Sequence, residues 1–252
     1  MRKARISYDG SIHEAIDWQG QLKLDDGRIV EEKDVVWLTP IVPRTVFALG
    51  LNYADHAAEL AFAAPSEPLV FLKGPNTFIG HQGSTRRPAD VTYMHYEGEL
   101  GVSIGQTARN VKKENAYNYI KGYSVANDYA IRDYLENYYR PNLRVKNRDT
   151  CTPFGPWLVD AADVANPMDL QLTTHVNDEL VQQGSTKDMI FDIPTLIEYL
   201  SSFMTLSEND VILTGTPKGS VNTFVGDVVI TEVEGIGRLI NTIIGDESFT
   251  NR

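Results

Sequence analysis

The stretch Tyr93-Met-His-Tyr-Glu-Gly-Glu99 carries two carboxylates one residue apart, directly before an apolar segment. If residues 97–104 form a β-strand, its two-residue period places Glu97 and Glu99 side by side on one face. Adjacent like charges repel each other, and residues 91–102 contain no lysine or arginine to offset them. The pattern therefore predicts either a solvated strand face or a site for a cation.

A third carboxylate, Asp128, follows the apolar run Tyr123-Ser-Val-Ala-Asn127. A bare charge there would be costly unless a cation binds it. Three carboxylates that converge on one divalent ion would remove both this cost and the repulsion between Glu97 and Glu99. Oxygen ligands without cysteine suit Mg²⁺, Mn²⁺ or Ca²⁺ rather than zinc.

The composition bounds the class of protein. The chain has 252 residues, of which 42% are hydrophobic and 23% charged, as in ordinary globular proteins. Its net charge of −11 disfavours nucleic acid and anionic membranes as partners. Neither a bilayer-length apolar run nor a signal-peptide pattern is present, so we expect a cytoplasmic protein. The single cysteine, Cys151, excludes an internal disulfide, and we expect it to be a small buried residue rather than a nucleophile.

Turn signals and periodicity divide the chain. Residues 1–42 alternate short strands with Asp-Gly and Gln-Gly turns, which predicts a small N-terminal β subdomain ahead of a main domain over 43–252. Further strands and short helices make the fold class α+β and rich in β-structure. The strands are expected at 45–50, 69–74, 155–160, 171–183 with a central turn, 211–214 and 227–244, and the helices at 52–63, 113–119, 130–139 and 193–204.

Two features offer chemistry beyond the carboxylates. On the helix expected at 52–63, His56 and Glu59 lie three residues apart and therefore on one face, which suits either an ordinary surface pair or a proton-transfer pair. The other is a basic segment, which is either a solvated loop or the receiver of an anionic substrate. Its members are Arg140, Arg144, Lys146 and Arg148.

Six motifs, in this order, resemble the fumarylacetoacetate hydrolase family, and the similarity extends from about Thr45 onward. They are Gly50-Leu-Asn-Tyr-Ala-Asp-His-Ala-Ala-Glu59, Phe71-Leu-Lys73, Tyr96-Glu-Gly-Glu-Leu100, Gly122-Tyr-Ser-Val-Ala-Asn-Asp128 with Arg132-Asp133, Pro153-Phe-Gly-Pro-Trp157 and Thr214-Gly-Thr-Pro217. The resemblance implies a mixed β roll or sandwich with short helices, and usually a homodimer.

The resemblance also assigns roles by position. Glu97, Glu99 and Asp128 match the family's ligands for Mg²⁺ or Mn²⁺, and His56 and Glu59 match its catalytic pair on a lid-like helix. Lys73, Lys146 and Thr216 match positions that face substrate, and Lys146 is also counted among the catalytic residues. We further expect Arg132, Arg140 and Arg144 to bind the substrate's carboxylates.

Within the family, residues 127–146 resemble the isomerases and decarboxylases of 4-hydroxyphenylacetate breakdown, in which two such modules can be fused in one chain. This chain has one module, most like the C-terminal half, so a sister subunit is possible. The implied reactions convert 5-oxopent-3-ene-1,2,5-tricarboxylate to 2-hydroxyhepta-2,4-diene-1,7-dioate and then to 2-oxohept-3-ene-1,7-dioate, through a dienolate stabilised by the metal.

Two alternatives stay open. A carbon-carbon hydrolase of acylpyruvate type would use the same metal and the pair His56 and Glu59 to activate water. A non-catalytic β protein would hold Ca²⁺ structurally with the same carboxylates.

Overall fold

The N-terminal residues form short antiparallel strands in this computed structural model, which describes residues 1–59, 63–135 and 143–246. Positive φ angles at Asp9-Gly10 and Gln19-Gly20 build the left-handed turns that such hairpins favour. The strands predicted here are confirmed. Their bounds are β1 (Arg2–Tyr8), β2 (Ser11–Trp18), β3 (Gln21–Leu24), β4 (Ile29–Val30) and β5 (Val36–Trp37).

The rest of the described chain is also dominated by strands, as expected for a β-rich α+β protein. The bounds are β6 (Val46–Gly50), β7 (Leu69–Lys73), β8 (Phe78–Ile79), β9 (Ser84–Arg87), β10 (Met94–His95), β11 (Gly98–Ile104), β12 (Ile120–Asn127), β13 (Ala130–Ile131), β14 (Thr152–Asp160), β15 (Gln171–Val176), β16 (Glu179–Ser185), β17 (Val211–Leu213), β18 (Val228–Val233) and β19 (Gly237–Gly245).

These strands form one large and two smaller sheets. The large sheet runs in the order β4-β3-β2-β1-β14-β12-β11-β17-β6-β7, with β5 paired to β1 and β8 to β14. A second sheet has the order β16-β15-β18-β19-β9, and β10 pairs with β13. Because β1 pairs with β14, the N-terminal strands continue the large sheet. The domain boundary near residue 42 stays a prediction.

The α-helices in the described part of the chain are few and short, as the sequence predicts. They are α1 (Ala54–Glu59), α2 (Leu143–Lys146) and α3 (Ile193–Phe203). Asp192 caps α3 by accepting a hydrogen bond from the Thr195 amide at 2.8 Å. Among the described residues, no helix is long and apolar enough to cross a membrane.

The main hydrophobic core lies around β11, which packs against the second sheet and α3. Leu100, Val102 and Ile104 of β11 contact a cluster that includes Leu172 and Leu196. Every residue of β11 is buried. A solvated face for the Glu97 and Glu99 strand, one of the two interpretations of the sequence, is therefore excluded.

The helix predicted at 130–139 is wrong over its described part. Residues Ala130–Ile131 pair with Met94–His95 instead, and only Arg132–Tyr134 makes a single 3-10 turn. Asp133 fixes this arrangement because it accepts hydrogen bonds from the amides of Thr92 and Tyr93, at 3.0 and 2.8 Å. These tertiary contacts override the local helix propensity. Residues 136–139 lie outside the described ranges.

Candidate active site and metal centre

Pairing of β11 with β12 brings the three predicted metal ligands together. Gly98 lies opposite Asn127 in the ladder, and the Asp128 amide donates to the Glu97 carbonyl at 2.9 Å. The residues that flank this pair therefore meet at one end of the two strands. Glu97, Glu99 and Asp128 are all buried, and each offers a carboxylate oxygen within 4.8 Å of the others.

Two lysines lie against these carboxylates. Lys146 Nζ is 2.6 Å from Glu97 Oε2 and 2.9 Å from Asp128 Oδ2. Lys73 Nζ binds the other oxygen of Asp128 and the carbonyl of Lys146. The side chain of Lys73 is fully buried, so the structure places it as a counter-charge to Asp128. Its predicted contact with substrate stays a prediction.

Glu99 is the unsatisfied member of the cluster. Its Oε2 accepts a hydrogen bond from the Gly215 amide at 2.7 Å, whereas its buried Oε1 has no partner among the described residues. Burial, together with the nearby charges of Asp128 and Glu97, raises the pKa of Glu99 well above its ordinary value. An orphaned buried oxygen beside two more carboxylates is what an oxygen-preferring divalent ion would satisfy.

Glu97 shows the opposite shift. Burial works against ionisation here too, but the positive charge of Lys146 outweighs it and lowers the pKa of Glu97 below its ordinary value. The same pairing raises the pKa of Lys146, although burial alone would lower it. The cluster thus contains an ionised Glu97 beside a Glu99 that resists ionisation without a further cation. The residues present therefore fit Mg²⁺ or Mn²⁺.

The pair on α1 has the geometry of a proton-transfer pair. His56 Nδ1 lies 3.1 Å from Glu59 Oε2, and His56 is buried while Glu59 is partly exposed. When Nδ1 carries the proton and donates it to Glu59, Nε2 is left as an acceptor for a substrate proton.

One loop, residues 214–219, contacts both the carboxylate cluster and the His56–Glu59 pair. Its Gly215 amide donates to Glu99, and its Gly219 amide donates to Glu59 Oε1 at 3.1 Å. Gly215 has a φ of +89°, and a Cβ there would come within 2.9 Å of Asn52, so this tight turn requires glycine. Thr216, predicted to contact substrate, lies between the two donors.

The predicted substrate arginines have different surroundings. Arg132 Nε donates to His95 Nε2 at 2.8 Å, and His95 Nδ1 lies 3.0 Å from the Tyr96 carbonyl. Burial lowers the pKa of His95 to about 3, so a neutral imidazole accepts from Arg132. Arg144 is exposed and covers the Tyr134 ring at 3.7 Å. Arg140 lies outside the described residues.

Sequence reasoning missed two residues near the site. His95 stands in the quoted stretch two residues before Glu97, and that spacing on one strand face is the signal that could have found it. Gln182 is buried and donates to Thr216 Oγ1 at 2.9 Å. It carries no local signal, because Gln182-Gln183 in a hairpin strand resembles a solvated pair. Cys151 is buried as expected.

Comparison with known proteins gives concordant matches. The family model "Fumarylacetoacetate (FAA) hydrolase C-terminal" matches residues 45–244. A 4-hydroxyphenylacetate degradation bifunctional isomerase/decarboxylase of Salmonella dublin is 61% identical over 81% of this chain and 48% of its own length. The oxaloacetate tautomerase YisK of Bacillus subtilis is 40% identical over 81% of this chain and 71% of its own. The chain spans about half the length of the bifunctional relatives it matches.

A solved structure supports the same placement. The 5-carboxymethyl-2-hydroxymuconate delta-isomerase of Mycobacterium smegmatis superimposes with a TM-score of 0.87 at 37% identity, and the match covers 98% of this chain and 99% of that one. The mixed, sheet-rich fold expected from the motifs is thereby confirmed.

Proposed function

Because this chain belongs to the fumarylacetoacetate hydrolase family, we propose that it is a divalent-metal-dependent isomerase, decarboxylase or both, of 4-hydroxyphenylacetate catabolism. Its substrates are 2-hydroxyhepta-2,4-diene-1,7-dioate for isomerisation and 5-oxopent-3-ene-1,2,5-tricarboxylate for decarboxylation. One observation carries this proposal. A buried three-carboxylate cluster and a histidine-glutamate pair are joined through a single loop.

Both reactions share a dienolate. Loss of carbon dioxide from the tricarboxylate leaves it directly, and loss of the 2-hydroxyl proton forms it from the dienol; protonation at C5 then gives the 2-oxo product. Glu97, Glu99 and Asp128 would hold Mg²⁺ or Mn²⁺, which supplies a Lewis acid where negative charge develops.

The proton transfers fall to His56. Glu59 holds its Nδ1 side at 3.1 Å, which leaves Nε2 to accept the hydroxyl proton and to return a proton to carbon. Glu59 in turn is fixed by the Gly219 amide, so the imidazole keeps its orientation through the cycle. Arg132, held by His95, would bind a remote carboxylate of the substrate.

The experiment that tests this proposal follows each substrate separately by ultraviolet absorbance. It uses this chain alone, in Mg²⁺, in Mn²⁺ and in EDTA. We expect turnover of at least one substrate with either ion and none in EDTA. Metal-independent turnover, or no turnover of either substrate by folded, metal-loaded protein, would overturn the proposal. The relative rates with the two ions identify the better cofactor.

A hydrolase of acylpyruvate type is the second candidate. It is favoured by the Nε2 of His56, which has no hydrogen-bond partner among the described residues and could equally deprotonate a water molecule. Adding an acylpyruvate to the same assay separates the two. Turnover of the acylpyruvate alone would reject the isomerase.

The assembly proposed is a homodimer, or a pair with a sister module, because the bifunctional relatives are about twice as long as the matched region. Native mass spectrometry of the chain alone tests the homodimer. A monomer that gains activity only with a second module would favour the mixed pair. The cytoplasmic location stays a prediction.

A further inference from the structure

A buried glutamine behind the site has a fixed orientation. Gln182 is 2% exposed, and its Nε2 donates to Thr216 Oγ1 at 2.9 Å and to the Pro217 carbonyl at 2.8 Å. Its Oε1 accepts from Thr174 Oγ1 at 3.0 Å. Turning the amide over would set Oε1 against the Pro217 carbonyl, acceptor against acceptor. The Pro217 carbonyl therefore fixes which end of the amide faces Thr216.

This orientation decides what the Thr216 hydroxyl can do. A hydroxyl has one proton to donate, and Gln182 already occupies an acceptor position on Thr216 Oγ1. No described residue accepts a hydrogen bond from the Thr216 hydroxyl. Thr216 follows Gly215, whose amide holds the proposed metal ligand Glu99 at 2.7 Å. The Thr216 hydroxyl therefore belongs to the loop that supports Glu99, and among the described residues its proton is uncommitted.

The glutamine also packs beneath the metal-binding strand. A Cβ on Gly98, the residue between Glu97 and Glu99, would lie 2.7 Å from Thr174 Oγ1 and 2.9 Å from Gln182 Oε1. The side chains of Thr174 and Gln182 thus fill the space that a larger residue would need. Behind them Thr231 lies 3.0 Å from Thr174 and donates to Asn127 at 2.8 Å, so the support is a buried polar chain.

We propose that Gln182 is a positioning residue, which presents the Thr216 hydroxyl as a hydrogen-bond donor to an anionic oxygen of the bound 2-oxo acid. The inference rests on the proposed function, since it takes the carboxylate cluster as the metal centre. It assigns to the second sheet a part in substrate selection. The site would favour a substrate oxygen that accepts a hydrogen bond over a substrate group that can only donate one.

The test is Gln182→Glu, which keeps the shape and reverses the polarity. A carboxylate facing Thr216 Oγ1 would accept a hydrogen bond from this hydroxyl, so the hydroxyl proton would point away from the substrate. We expect the KM for the dienol dioate to rise roughly tenfold or more, with kcat changed less than threefold and the Mn²⁺ affinity within twofold of wild type. Gln183→Glu, on the exposed neighbour, is the matched control and should leave all three unchanged.

A double-mutant cycle separates positioning from general damage to the fold. In a Thr216→Val background, Gln182→Glu should raise KM no further, because the hydroxyl it acts through is gone. An equal rise in both backgrounds, or no rise in the single variant, would overturn the inference. If Gln182→Glu does not fold, Gln182→Met takes its place in the same cycle.

Oxalate binding to the Mn²⁺-loaded protein, measured by calorimetry, keeps the two proposals apart. If wild type turns over neither substrate, the proposed function is rejected. Weaker oxalate binding in Gln182→Glu than in wild type would still support the role of the glutamine. A wild-type protein that does not bind oxalate rejects the positioning role as well.

Discussion

Two clusters of side chains that could bind a metal ion have similar spacing and opposite surroundings in this molecule. His13, Asp25 and Asp26 bring ligand atoms as close together as Glu97, Glu99 and Asp128 do. The first cluster is largely exposed, at the N-terminal hairpins, where Arg28 Nε donates to Asp26 at 2.8 Å and His13 lies 3.2 Å from Asp25. Water and Arg28 already satisfy those charges.

The second cluster is buried and contains two lysines, yet Glu99 Oε1 has no partner within the described ranges of the chain. The comparison teaches that proximity of carboxylates does not by itself make a metal site. What distinguishes the two clusters is the cost of leaving charge unsatisfied, which is small in water and large in a protein interior.

The largest expected difference is in metal binding. Glu99→Ala should abolish Mn²⁺ binding and turnover, because it removes the oxygen that only a cation would satisfy. Asp25→Ala, in the exposed cluster, is the matched control and should change neither. Calorimetric titration with Mn²⁺ measures both. An equal loss of affinity in the two variants would break the comparison.

Removing a cation from each cluster should also give unequal results. Lys146→Met leaves Glu97 and Asp128 short of a buried counter-charge, which should cost about 3 kcal/mol or more of metal-free stability. Arg28→Met, at the exposed cluster, should have no measurable effect. Urea denaturation in EDTA gives both values, and added Mg²⁺ should restore part of the Lys146→Met loss. Equal free energies for the two variants would contradict the distinction.

The residues His56 and His13 extend the comparison to catalysis. His56→Ala should lower kcat roughly 100-fold or more, because proton transfer loses its carrier while the metal stays bound. His13→Ala should leave kcat unchanged. Steady-state rates with saturating Mg²⁺ provide the measurement. A full rate in His56→Ala would assign the proton transfer to another group.

The smallest expected effect, for each unit of pH, is on the stability of the metal-free protein. The pKa of Glu99 is raised above its ordinary 4.5 by burial and by Asp128 and Glu97, so its stabilising contribution is complete below that value and is lost as pH rises through the raised pKa. The free energy of unfolding of wild type, relative to that of Glu99→Gln, should therefore fall from pH 5 to pH 8 in EDTA, by no more than about 1.4 kcal/mol per pH unit. The melting temperatures of the two proteins measure this difference.

Asp26 in the exposed cluster has the opposite sign. Hydrogen bonds from Arg28 lower its pKa, so its contribution is lost only as pH falls below the ordinary range. Asp26→Asn should therefore leave the trend from pH 5 to pH 8 unchanged. A trend that persists in Glu99→Gln would assign it to another group.

Much of the fold follows from local patterns. The N-terminal hairpins, the turn at Asn177-Asp178 and the capped helix α3 are all predictable, because each depends on residues close in sequence. The helix expected at 130–139 fails because Ala130 and Ile131 pair with a strand far away in the chain. Distant pairing cannot be deduced from local propensity.

The site was predictable to the extent that its chemistry shows in residue type. The three carboxylates and the histidine-glutamate pair were named from spacing and from the family motifs, and the structure brings them together. The position of Lys73, fully buried against Asp128, was not predictable, since a lysine that ends a strand more often reaches solvent. Gln182 was missed because the second sheet folds back on the loop from elsewhere in the chain.

The loop Thr214–Gly219 has a consequence for anyone who wishes to redesign substrate choice. One backbone segment supports Glu99 at its start and Glu59 at its end. Grafting a foreign loop here would disturb metal affinity and proton transfer at once, so libraries should leave its main chain intact. Exposed positions such as Arg144, which contacts Tyr134 at the surface, offer safer ground for diversification.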